Sequence, residues 1–255
     1  MATIASPRPQ RLVGKFYVTM AAIFVAIAFS GFFMTYWLQV AQGTFTGSAM
    51  LHLHGLLFTA WTLFFLSQTW LMANGRYKSH RKWGLLGISL ATAMVLIGLA
   101  VALQGLQARR DAGFGDPARA FVIVPISGIL LFGGLVTASI ANLKRPEWHK
   151  RLMLVASAGI LQAAIARFFF LAATGGGPGL RPGMGPPQPV ERTMAAGVLV
   201  LLLVAAAMVH DWRNHGRVHP AYWWGFGAML AVHLSRPLLA RTEAWYRFTD
   251  FLLAF

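Results

Sequence analysis

Cysteine is absent from this 255-residue chain, and acidic residues nearly so: seven Asp and Glu stand against 22 Lys and Arg. Without a thiol there is no disulfide, no thiolate zinc site, no cysteine-ligated iron–sulfur cluster and no haem attached through thioethers. Any metal must be held by His, Met or carboxylate. The phosphate-cradling and nucleophile-elbow patterns GxxxxGK[ST], GxGxxG and GxSxG are missing too, which removes support for nucleotide-binding and serine-hydrolase readings. No period of 20–50 residues recurs, so no repeat array is expected.

Charge is scarce as well: 11% of residues are charged and 57% hydrophobic, with a mean hydropathy of +0.59. Soluble domains run near 25% charged. The apolar surface here exceeds what a water-soluble fold of this size buries, and a lipid bilayer is the solvent that accepts it. The net charge of +15 points to nucleic acid only in a soluble chain with a continuous basic face. Here the cations sit in short segments between apolar runs, where membrane orientation and anionic headgroups account for them and nucleic acid does not.

A span needs about 20 mostly apolar residues. The expected fold class is all-α, a polytopic transmembrane helix bundle forming a single domain over 1–255. Its spans fall at 16–40, 50–73, 83–105, 119–142, 152–173, 193–210 and 221–240, with 241–255 an amphipathic tail on the interface. The first run is too long for the h-region of a signal peptide and reads as a retained span. Segments 8–15, 76–82, 144–151 and 213–217 hold 13 of the 22 Lys and Arg, which sets the N-terminus in the cytoplasm. The Gly/Pro-rich stretch 174–191 then reads as a flexible outer loop.

Eight histidines carry the chemical signal. At 100° per residue, His54, Trp61 and Gln68 share one face of span two, and His52 points roughly 160° away. On span three His80 lines up with Gly84, Gly87, Ala91 and Gly98. On span five His149, Met153, Ala156, Ile160, Ala163 and Arg167 form one stripe. Small residues bordered by histidine leave room for a flat ring, or serve close helix packing. In span seven His233 and Arg236 stand three apart, and both are costly in hydrocarbon.

His54, His233, Arg167 and Arg236 come at comparable depth near the outer surface. That set suits a haem b: two imidazoles on the iron and two guanidiniums for the propionates. His80 and His149 form a second metal-binding pair near the inner surface, or are interfacial polar residues beside cations. The expected function is electron transfer by a membrane-embedded b-type haem protein, with quinone as a partner in the same bilayer. The alternatives are a cofactor-free assembly or accessory subunit of a respiratory or metal-handling complex, and a transporter or metal permease.

A copper ion between His149 and Met153 is a weaker reading. A di-iron site lacks the tight HxxxH and HxxHH clusters it needs. The carboxylates fall in loops or at span ends, against a carboxylate proton relay, and span seven has no mid-span lysine for a retinal Schiff base. Pro125 and Gly133–Gly134 hint at a break in span four, with no second matching break in the sequence.

Four blocks carry a resemblance: LHLHGLLFTAW (Leu51–Trp61), SHRKWG (Ser79–Gly84), EWHKRLM (Glu147–Met153) and HGRVHPAYWWG (His215–Gly225). In these the chain resembles a group of bacterial polytopic inner-membrane proteins, which implies the bacterial cytoplasmic membrane as its location. The HKRLM block is more remotely similar to small membrane proteins implicated in cytochrome oxidase maturation. Histidine pairs on opposite membrane sides are loosely similar to the cytochrome b561 group, whose pattern uses four consecutive helices. Here the pairs would join span two with seven and three with five, so no residue role is carried over.

Overall fold

The computed structural model describes residues 10–174 and 185–254, and among these every regular element is helical. Runs of Leu, Ala, Phe and Met without internal punctuation favour helix, and a bilayer requires each backbone group to be satisfied within its own segment. Six helical stretches are long and apolar enough to cross a membrane: Lys15–Ala41, Ala49–Ala73, Tyr77–Asp111, Gly115–Ala141, Pro146–Thr174 and Val190–His215. The molecule is an all-α bundle for a lipid environment. Its outer surface agrees: Leu85, Leu96, Trp224 and Leu238 are largely exposed, whereas Arg151, Asp211, Gln162 and Arg236 are buried.

In chain order the helices are α1 (Gln10–Phe32), α2 (Leu38–Ala41), α3 (Ala49–Ala73), α4 (Tyr77–Asp111), α5 (Gly115–Phe121), α6 (Ile123–Ala141), α7 (Pro146–Gly159), α8 (Gln162–Thr174), α9 (Thr193–His215), α10 (Pro220–Leu239) and α11 (Glu243–Leu252). The expected seventh span is α10, a 20-residue helix that falls outside the six by composition. It packs against α6, α7 and α9 with Tyr222, Met229, His233 and Arg236 buried. Residues 175–184, most of the Gly/Pro stretch, lie outside the described residues. The expected tail contains α11, which is docked rather than loose. Trp245 Nε1 donates to the Arg119 carbonyl (2.8 Å), and Arg119 pairs with Asp250 at 2.8 Å.

Three spans are not continuous α-helix. Span one opens into a π-helical stretch, Phe33–Trp37, two residues after Gly31, where a Cβ would stand 2.5 Å from the Ala164 carbonyl oxygen. Span four breaks between α5 and α6 at Val122, just before Pro125. Span five breaks between α7 and α8, where Leu161 N–H bonds the Ala158 carbonyl three residues back. The break in span five, unlike that in span four, has no proline to signal it in the sequence.

The ends of the bundle are distinct. At the near end, where α1 begins, the α3–α4, α6–α7 and α9–α10 turns come together. Arg151 on α7 holds Asp211 on α9 in a two-pronged ion pair and also grips Glu147. Asp211 is buried, not solvated as its position at a span end implied, and accepts from the His219 N–H (2.8 Å). At the far end lie the α4–α5 turn and the start of α9.

Candidate functional site

Two polar centres lie inside the bundle, one toward each end. At the far side the keystone is Arg236, 1% exposed. Its Nε donates to Ser127 Oγ (2.8 Å), Nη1 to Gln162 Oε1 (2.8 Å) and Nη2 to the Val124 carbonyl (3.1 Å). The Val124 carbonyl lies in the first turn of α6, just after the break in span four, and Gln162 opens α8, just after the break in span five. Nη1 also lies 3.0 Å from His233 Nδ1. A guanidinium has only donors, so His233 Nδ1 accepts and the ring carries its proton on Nε2. That Nε2–H is buried without a partner, against Gly197, where a Cβ would come within 3.2 Å of it.

His54 stands on α3, which packs mainly on α1 and α4, whereas α10 packs on α6, α7 and α9. The two histidines therefore belong to helices with no substantial shared interface. The His54 ring stacks on Phe58 (centroids 4.1 Å apart), its Nδ1 is buried and unpartnered, and Arg167 is its charged neighbour. His52, on the opposite face, is exposed and its Nδ1 meets Tyr36 Oη at 3.0 Å. Arg167 lies over the Phe32 ring (5.1 Å), apart from the Arg236 network.

The near-end centre brings together His80 at the start of α4 and His149 at the start of α7. Their ring centroids are 6.3 Å apart with planes at 75°. His149 Nδ1 lies 3.1 Å from the Ser139 carbonyl and 2.9 Å from Ser139 Oγ. The Ser139 hydroxyl itself donates to the His149 carbonyl (2.9 Å). With the hydroxyl proton so engaged, Nδ1–H of His149 is the donor, and Nε2 is left with a free lone pair. The His80 ring lies beside the Gln68 main-chain carbonyl. His80 Nδ1 and Gln68 Oε1 are both buried without partners. Two buried polar atoms at one place thus go without a partner in the protein, which buried polar atoms rarely do.

The stripes of small residues prove to be mostly filled. A Cβ at Gly87 would meet Phe64 at 2.6 Å, and one at Gly98 would meet Ile129 at 2.9 Å. Only Gly84, one turn from His80, faces open space on that row. The stripe expected from His149 to Arg167 is cut by the break at Ile160–Leu161, which leaves Ala156 buried and Ala163 exposed.

No family model, curated protein or solved structure matches the chain. The site must be read from its own chemistry. Among the described residues no three His, Asp or Glu side chains converge as a metal cage. His80 and His149 are a two-nitrogen set. Such a set is incomplete for zinc, which takes four ligands, and for an octahedral ion. It is complete for haem iron, whose macrocycle supplies the other four nitrogens.

Proposed function

We propose that the chain is a membrane-embedded b-type haem protein of electron transfer, held by His80 and His149, with quinone as its lipid-soluble redox partner. The observation that carries this reading is the 6.3 Å spacing of the two rings. Metal–nitrogen bonds of about 2 Å on each side, plus the half-width of each imidazole, span roughly 6 Å between centroids. The tautomer of His149 supports it further. Metal-bound histidines characteristically give their second N–H to a carbonyl or carboxylate, as Ser139 provides here. The open face at Gly84 is the place beside the pair with room for a flat ring.

When bound, the group supplies reversible one-electron chemistry. The chain's own residues fix the imidazole of His149 and keep its Nε2 unprotonated. His233 is less suited to an axial role in this arrangement, because Arg236 occupies its Nδ1 and leaves a proton on Nε2. His54 keeps a free ring nitrogen, but the ring it stacks on is Phe58 and not a second imidazole.

The test is a reduced-minus-oxidised spectrum and a pyridine haemochrome assay on protein made with haem precursor supplied. His80→Ala and His149→Ala are expected each to abolish the b-type bands, while His233→Ala retains them. Folded, monodisperse protein without a Soret band would end the haem reading and leave the accessory-subunit alternative. Bands that survive both near-end variants but vanish with His54→Ala would move the iron to the far end.

A further inference from the structure

Arg167 has a second cation beside it. Arg109, in the last turn of α4, points back into the bundle and lies within electrostatic range of Arg167. The Nε atoms of both are buried and unpartnered. The described contacts of the two guanidiniums are aromatic faces: Arg109 over Phe121 (4.7 Å) and Arg167 over Phe32 (5.1 Å). His54 lies within electrostatic range of Arg167.

Two shielded cations side by side repel, and burying them without a counter-charge is unfavourable. The chain has only seven side-chain carboxylates, and each is engaged elsewhere. Asp211 and Glu147 are with Arg151, Asp116 and Asp250 with Arg119, Glu191 with Arg241, and Glu243 with Arg247. The seventh, Asp111, is exposed and takes a hydrogen bond from Gln107 (2.8 Å). No side-chain carboxylate serves the two arginines, and an anion from outside the chain would supply the missing charge.

We infer that Arg109 and Arg167, with His54 at their edge, form a binding site for an oxyanion, a phosphate or carboxylate group entering at the far end of the bundle. Guanidiniums suit this ligand because their planar donors match two oxygens at once. The aromatic faces hold the two cations in place and leave their N–H edges for the anion. Arg236 takes no part in it: Ser127, Gln162, Val124 and His233 already use its donors. The group can come from a phospholipid headgroup or from a soluble anion, since the far end meets both.

The test uses full-length protein in neutral detergent, stripped of lipid. Dioleoylphosphatidylglycerol and inorganic phosphate are added separately at matched ionic strength, with apparent Tm and native mass spectrometry as readouts. Wild type is expected to gain roughly 2–4 °C with at least one probe, the shift for about 1 kcal/mol in a chain of this size. A rise with the lipid alone assigns a headgroup, and a rise with phosphate alone a soluble anion. Arg109→Gln and Arg167→Gln should each weaken the response about tenfold in probe concentration, as loss of a charge-assisted hydrogen bond does. Arg110→Gln, at an exposed neighbour, should leave it unchanged. If either Gln variant fails to fold, Arg109→Lys and Arg167→Lys take its place, with the same weakening expected. The inference is overturned if neither probe stabilises wild type, or if the variants respond as wild type does. The haem spectrum is independent of either result.

Discussion

Arg236 illustrates how the membrane interior tolerates a guanidinium: each nitrogen has a neutral acceptor, two of them from α6 and one from α8. Removing it takes a donor at once from a serine hydroxyl, an amide oxygen, a main-chain carbonyl and a histidine. Arg236→Met is expected to cost about 3–5 kcal/mol, the range for deleting one partner of a buried polar network. It should appear as a large fall in apparent Tm in detergent, with Arg236→Lys between it and wild type. A methionine variant as stable as wild type would mean that water replaces the lost donors. At this scale the sequence was informative about residue type and silent about partners. A histidine and an arginine three apart in an apolar run had to be satisfied somewhere, but nothing local named Gln162 or Ser127. Arg109 was missed for a related reason: in a basic run beside Asp111 it looked like a loop cation, and only the length of α4 turns it inward.

Among the elements, α10 shows how a helix is started by chemistry legible from its neighbours. Pro220 occupies its first turn, and His219 caps it by accepting the Ala221 N–H on Nδ1 (3.1 Å). Gly216, at φ +71°, closes α9 just before. Burial, and then the positive charge of Arg151, hold the His219 pKa below its ordinary 6.5. The cap needs the neutral ring. Its contribution is thus complete above the unfolded value of about 6.5 and is lost as pH falls from there through the folded value. Apparent Tm should decline more steeply between pH 7 and 5 in wild type than in His219→Asn, which caps without titrating in that range. Equal slopes would show that other groups set the pH dependence. The helix interruptions were far less legible. Pro125 signals the break in span four, but Ala158–Gln162 and the π stretch Phe33–Trp37 have ordinary apolar compositions. The close approach of Gly31 to Ala164 that accompanies the π stretch is a tertiary event. A face periodicity drawn through such a point loses its register, which is why the stripe from His149 to Arg167 failed.

For the molecule as a whole, hydropathy alone located the six apolar helices within a few residues, because length and composition decide whether a segment suits hydrocarbon. Which helix packs on which is set by side-chain shape at interfaces between separate stretches of the chain, as where α1 meets α8, and no single stretch encodes that. Depth places His54 level with His233 but says nothing of which helices touch; the expected inner pair, His80 and His149, is the one whose rings come within 6.3 Å. The cation distribution predicts a cytoplasmic N-terminus and seven crossings. Reporters active on one side only, fused at residue 77, residue 180 and the C-terminus, are expected to read cytoplasm, outside and outside. A cytoplasmic reading at residue 180 would reverse the side assigned to every histidine.

The Arg236 network has a consequence for the order of synthesis. Val124, Ser127 and Gln162 are all translated before α10, so the acceptors are in place before their cation leaves the ribosome. A helix that bears a buried His and Arg, and that is less apolar than the six before it, is then never required to partition into lipid by itself. It arrives last, into a socket that its predecessors have already assembled.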